Sequence, residues 1–222
     1  MVRYCIRLKT GHERKPDVHA VYKMTPKRIP EHDRWSRYYR ATMGREPRRL
    51  LLEALPYIKN QRGTALDLGA GDMTDSRYLL EQGFSVVAVD SSSASREASH
   101  AIQSSGLTTV VSTFEEFNFG REKYVLVNAQ YSLPFSPPET FENVFGRLTD
   151  SLRSGGIFVG QLFGPRDGWA GRPGMSFFSR TEAERLLQGY EVLVLREEDA
   201  EGLLAAGGTK HWHVFHVIAR KR

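Results

Sequence analysis

From residue 63 onward the chain alternates between short apolar runs and stretches of helical period. "GTALDLG" (63–69) reads as a buried strand and "DMTDSRYLLEQG" (72–83) as a helix stopped by Gly83. "FSVVAVD" (84–90) predicts the next strand, followed by a helix over 92–106 that opens on serines and closes at Gly106. "TTVVSTF" (108–114), "KYVLVNAQ" (123–130) and "IFVGQLFG" (157–164) read as three further strands. Between the last two, residues 137–156 predict a helix opened by prolines and closed by Gly155–Gly156. Continuous Val, Ile and Leu strands separated by helices argue for a parallel sheet covered on both faces.

The end of the chain breaks this rhythm. After a helix over 180–189, "YEVLVLREED" (190–199) and "KHWHVFHVIARKR" (210–222) predict two strands joined by a Gly-rich turn. These can pair antiparallel, so the expected fold is α/β: a doubly wound, mostly parallel seven-stranded sheet with an antiparallel edge strand and helices on both faces. Before residue 63, "EHDRWSRYYRATMG" (31–44) places Trp35, Tyr38 and Tyr39 at near-helical spacing. "EPRRLLLEALPYI" (46–58) predicts a second helix with Leu50, Leu51, Leu55 and Ile58 inward. Residues 1–30 hold Pro16, Pro26 and Pro30 and no sustained period. They are expected to form a loose basic extension to a single domain over 31–222.

Composition changes this picture in one respect. At 222 residues, 40% hydrophobic and 26% charged, the chain is ordinary for a globular domain. No apolar run approaches the ~20 residues that span a bilayer. "MVRYCIRLKT" lacks a secretory apolar stretch, and Cys5 is the only cysteine, which excludes an internal disulfide. Cytoplasm is the expected compartment. The net charge of +5, however, is unevenly spread: residues 1–50 carry 14 basic and 5 acidic residues, a net +9, and the remainder is net −4. The basic arm could meet nucleic acid or anionic lipid, although a solvated extension is the favoured reading.

Candidate chemistry gathers at "TALDLGAGDMTDSRYLLEQGFSVVAVDSS" (64–92), a glycine turn after a strand with an acid about 20 residues on. That is the general signature of a nucleoside pocket. Ligands of open α/β sheets bind beyond the carboxyl ends of the strands, where Asp67, Gly69, Ala70, Gly71 and Asp90 fall. The dinucleotide fingerprint wants a third glycine where Thr74 stands, and no phosphate loop is present. Asp67, Asp72 and Asp75 would repel a pyrophosphate and tolerate a cationic ligand. S-adenosylmethionine, with a sulfonium, an ammonium and a ribose diol, fits better; Asp90 could accept from both ribose hydroxyls.

"LDLGAGDM", "VVAVDSS", "VLVNAQYSLPF" and "SLRSGGIFVGQLFG" resemble, in order, the motifs of class I S-adenosylmethionine-dependent methyltransferases. "WSRYYRATMGREPRRLLLEAL" and the closing "KHWHVFHVIARK" are similar to the small bacterial tellurite-resistance type. The resemblance covers about residues 31–222 and implies a Rossmann-like sheet and a methyltransferase using S-adenosylmethionine. By resemblance, Asp67, Gly69, Ala70 and Gly71 hold the methionine part and Asp90 the ribose, with Ser91 a further cofactor-binding residue. Phe114 and Glu115 flank the adenine, Asn128 stands beside the sulfur, and Trp35 and Tyr39 close the pocket. "NAQYSLPF" departs from the Asn/Asp-Pro-Pro-aromatic motif of enzymes that methylate adenine or glutamine. A small-molecule acceptor is therefore expected, the alternative being nucleic acid or protein reached through the basic arm. Oligomeric state and any general base are unassigned. His211, His213 and His216 alternate across a strand with no completing ligand set, so no metal is expected. The Gly-rich loop 164–178 is a candidate lid, with Asp167 and Trp169 facing the acceptor.

Overall fold

The computed structural model describes residues 31–58, 63–205 and 207–222. The basic segment 1–30, expected to be a loose extension, lies outside the described residues. Seven strands form one sheet: β1 (Thr64–Leu68), β2 (Ser85–Asp90), β3 (Leu107–Val111), β4 (Tyr124–Ala129), β5 (Leu152–Phe163), β6 (Tyr190–Leu203) and β7 (Thr209–Lys221). Their spatial order is β3-β2-β1-β4-β5-β7-β6. The first five strands run parallel, whereas β7 runs antiparallel to both β5 and β6 at one edge. The order reverses between β1 and β4, which opens a crevice beyond their carboxyl ends.

Alternation along the strands splits the core into two layers. Leu66, Leu68, Val87 and Val89 face one way, towards Phe141, Val144 and Leu148. Ala65, Val86, Ala88 and Leu126 face the other, towards Leu50, Leu51 and Leu79. The helices are α1 (Glu31–Thr42), α2 (Arg49–Ala54), α3 (Thr74–Glu81), α4 (Ser93–Ser99), α5 (Pro138–Ser151) and α6 (Arg180–Leu186). Gly83 ends the α3 turn at φ +90°, and a reciprocal Ser179–Glu182 capping box starts α6. No helix among the described residues is long and apolar enough to cross a membrane.

Several elements are shorter or longer than their patterns predict. The helix expected over 46–58 is helical only from Arg49 to Ala54, and Pro56 turns the remainder into a 3-10 turn, Leu55–Tyr57. The serine-rich α4 ends at Ser99, whose hydroxyl donates back to the Arg96 carbonyl at 2.6 Å. The third strand closes at Val111, and α5 stops at Ser151 because Leu152 already pairs with Tyr124. β6 runs on to Leu203, well past its expected end at 199. β5 pairs with β7 only as far as Phe163↔Val214, so the far end of the β6–β7 hairpin overhangs the sheet.

Candidate functional site

β1 and β2 each carry an acid near the crevice, Asp67 and Asp90, and the loop after β1 threads between them. Gly69 (φ +80°) and Gly71 (φ +52°) adopt backbone that side-chain-bearing residues avoid. A Cβ on Gly69 would stand 2.3 Å from the Ser132 Cβ, so the close approach of the segment after β4 demands glycine there. Asp90 Oδ2 accepts from the Gly71 N–H at 2.9 Å. Its Oδ1 accepts from the Ser92 N–H and the Tyr39 hydroxyl, both at 2.8 Å. Burial pushes the Asp90 pKa up, against the pull of these three donors. Tyr39 is raised in turn by its own burial and by Asp90, which keeps the phenol a donor.

The acidic loop is not the bare negative patch its sequence predicts. Arg45, between α1 and α2, places its guanidinium 3.2 Å from Asp72 and 3.0 Å from Asp75. Asp72 Oδ1 also accepts from the Thr74 N–H at 3.0 Å, so a carboxylate already takes the first N–H of α3. A pyrophosphate needs that position. The reason to disfavour a dinucleotide thus shifts from repulsion by three free charges to a carboxylate already seated on the first N–H of α3.

Beneath the loop lies a buried chain of amides. The Tyr131 N–H donates to Gln161 Oε1 (2.8 Å), Gln161 Nε2 to Gln130 Oε1 (2.8 Å) and Gln130 Nε2 to Asn128 Oδ1 (2.9 Å). Asn128 Nδ2 ends the chain on Asp67 Oδ1 at 2.8 Å, and Ser76 lies 2.5 Å from Asp67 Oδ2. The Tyr131 N–H can only donate, and that one fact orients every amide in the series. Burial and the nearby Asp75 push Asp67 up, while the Ser76 and Asn128 donors favour its charged form.

A single cavity of about 1270 Å3 brings the expected residues together. Asp67, Gly69, Ala70 and Gly71 line it from the loop, and Asp90 and Ser91 from the end of β2. Trp35 and Tyr39 border it from α1, and Phe114 and Glu115 from the segment after β3. Asn128 is the exception: wholly buried, with its amide spent on Asp67 and Gln130, it stands behind the wall. Asp167 likewise turns inward, to an ion pair with Lys210, while Trp169 borders the cavity. Sequence reasoning missed the far end, where Tyr131, Phe135, Phe163 and Trp212 join Trp169. These rings come from four separate segments, and only folding assembles them.

The histidines pair within the hairpin. His213 Nδ1 accepts from the Arg166 N–H at 3.1 Å and its Nε2 meets Glu197 at 2.9 Å. His211 pairs with Asp199 and Glu201, and His216 with Glu198. Glu197, Asp199 and His213 converge closely enough to share an ion, but the Arg166 guanidinium pairs with both of the acids.

The loop and the acid at the end of β2 suit a nucleoside with a diol, and the carboxylate seated on the first N–H of α3 disfavours a phosphate. A family model described as a methyltransferase domain matches residues 65–156. No curated protein matches the chain in sequence. Among solved structures, it resembles the Burkholderia thailandensis 1,6-didemethyltoxoflavin-N1-methyltransferase, solved with 1,6-didemethyltoxoflavin and S-adenosylhomocysteine bound. That likeness is 20% identity and a TM-score of 0.58 over 78% of this chain and 77% of that one. TehB from Haemophilus influenzae aligns with 18% identity and a TM-score of 0.63, over 78% of this chain and 61% of that one. An S-adenosylmethionine-dependent methyltransferase from Mesorhizobium loti aligns with 17% identity and a TM-score of 0.59, over 76% and 96%. At such identities these structures speak for the fold alone, and the family match adds that residues 65–156, which carry the glycine loop and the first strands, are similar to a methyltransferase domain.

Proposed function

We propose that this enzyme methylates a small molecule enclosed beside the cofactor. The observation that carries the reading is the cavity, about 1270 Å3 and continuous from the glycine loop to an aromatic far end. A pocket for one drug-sized ligand spans roughly 300–1,000 Å3, so this one has room for two. The Burkholderia neighbour, solved with a small acceptor and the spent cofactor together, supports the same reading.

In this reading Asp90 and Ser91 hold the ribose, and Asp67, Gly69, Ala70 and Gly71 the methionine part. Phe114 and Glu115 flank the adenine, and Trp35 and Tyr39 close the pocket from α1. Asn128 acts through Asp67, which it orients by a 2.8 Å hydrogen bond. When bound, the cofactor would supply an electrophilic methyl for an acceptor lone pair, with sulfur as the leaving atom taking the carbon–sulfur pair and any acceptor proton passing to water. The chain's own contribution is to align the two ligands and exclude water. Cytoplasm is the compartment proposed.

The test is adenosylhomocysteine release across thiols, halides, tellurite, phenols, small amines and random-sequence nucleic acid. A small-molecule acceptor is expected to turn over equally well with a chain starting at Ile29. The net +9 of residues 1–50 favours the second reading, nucleic acid or protein as acceptor. Turnover confined to a macromolecule and lost without residues 1–28 would establish that reading instead.

A further inference from the structure

The far end of the cavity has a chemistry of its own. Tyr131 and Trp212 meet with ring centroids 5.7 Å apart at 74°, Trp169 and Trp212 at 5.7 Å and 60°, and Phe135 and Trp169 at 6.0 Å and 53°. They join at steep angles, like panels of a wall. Behind the panels the Lys210 ammonium lies 3.9 Å from the Trp212 ring centroid and 4.3 Å from that of Trp169, and it is paired with the buried Asp167. Asp167 also accepts from the N–H groups of Trp169 and His213, which ties the loop to the hairpin. The wall is therefore braced before any ligand arrives.

One polar group at this wall is left over. The Arg48 guanidinium lies 4.9 Å from the Tyr131 ring centroid and borders the cavity. Its Nη2 donates to the Tyr38 hydroxyl at 2.9 Å, but its Nε is buried and has no partner. No carboxylate among the described residues forms an ion pair with it; Glu198, which borders the same cavity, is taken by His216 at 2.9 Å. A second buried polar atom on the wall, Ser136 Oγ, is also unpartnered. The guanidinium thus brings to the cavity a charge that no carboxylate of the described residues pairs, and a ligand oxygen reaching its exposed edge would meet it.

Resting on the small-molecule reading above, we propose that the acceptor is a flat aromatic or heteroaromatic compound bearing an anionic oxygen. Its ring lies among Tyr131, Phe135, Trp169 and Trp212, and its oxygen meets Arg48. Flatness follows from the aromatic panels, which reward ring contact. The negative charge follows from a guanidinium that lies against an aromatic ring, forms no ion pair among the described residues and offers a planar fork.

Calorimetry on the full chain saturated with adenosylhomocysteine tests this, with 2-naphthoate and 4-hydroxybenzoate as probes and cyclohexanecarboxylate and 2-naphthamide as controls. At least one aromatic anion is expected to bind tenfold or more tightly than either control. Arg48→Gln should erase the preference for 2-naphthoate over 2-naphthamide, and Trp169→Leu the preference for aromatic over alicyclic acids. Adenosylhomocysteine affinity reports that each variant is folded. Should a variant fail that check, the wild-type comparison still decides. Equal binding of cyclohexanecarboxylate or 2-naphthamide, or binding of none of the four, overturns the proposal. The small-molecule reading falls separately, if turnover occurs only on nucleic acid or protein.

Discussion

The Tyr39 hydroxyl donates to Asp90 Oδ1 at 2.8 Å, joining the first helix to the end of the second strand across 51 residues of sequence. A ribose hydroxyl reaching the same oxygen would compete with Tyr39 for it. Asp90→Ala is expected to weaken adenosylhomocysteine binding by about 1.5–3 kcal/mol, the scale of hydrogen bonds to a charged group. Tyr39→Phe should cost far less, because the ligand would replace the lost donor. Titration calorimetry on folded variants decides. Equal losses would place Tyr39 in direct contact with the ligand, and no loss for Asp90→Ala would remove that acid from the pocket.

The same carboxylate predicts a pH dependence. Burial raises the Asp90 pKa, so the native state holds this proton more tightly than the unfolded chain. The stability so conferred is present below the unfolded value of about 4 and is lost as pH rises through the folded pKa. A diol binds the ionised form, so binding in that window releases a proton. Adenosylhomocysteine affinity is expected to be level near neutrality and to fall on acidification. Calorimetry in buffers of different ionisation enthalpy should detect the released proton in the wild type. Asp67 is raised as well, and Asp90→Asn isolates the Asp90 share. An unchanged acid profile in that variant would refute the assignment.

Asp72 bears on cofactor choice. Because its carboxylate takes the Thr74 N–H, a pyrophosphate would have to displace an acid also held by Arg45. Adenosylhomocysteine is expected to raise the melting temperature, and NAD or NADP at equal concentration is not. Stronger stabilisation by NAD would contradict the reading of the loop.

The amide chain predicts coupling. Gln161→Leu strands the Tyr131 N–H and the Gln130 carbonyl oxygen in a buried site, an expected loss of about 1–3 kcal/mol. Once either link is gone the other has less to lose, so Gln130→Leu with Gln161→Leu should cost clearly less than the two single losses added. Urea denaturation measures all three; strict additivity would mean that the amides act independently.

What was legible in the sequence follows from what is local. The β1 and β2 strands and their acids stand in continuous text, and the glycine turn between them is marked by residues that only a tight backbone requires. Helix lengths were less legible, because Pro56 and the serines of α4 act through individual hydrogen bonds rather than period. Gln130 and Gln161 look unremarkable until β4 and β5 lie side by side. Arg45 meets Asp72 and Asp75 only because α1 and α2 fold across the glycine loop. Asn128 shows the converse: its position in the motif suggested ligand contact, and the geometry spends its amide on Asp67.

The overhanging β6–β7 hairpin divides the molecule into two inheritances. Leu203, Leu204 and Ala205 at its far end reach the cavity, and Trp212 descends from its second strand. Everything proposed to touch the cofactor lies between Trp35 and Glu115, whereas the aromatic wall begins at Tyr131 and ends in the hairpin. In the proposed reading the two halves of the reaction, Arg48 apart, are thus written in successive stretches of the chain. Changes in loop 164–178 and the hairpin end could retune the acceptor while leaving the methyl-donor half untouched. For an engineer, this is a fixed handle with an exchangeable blade.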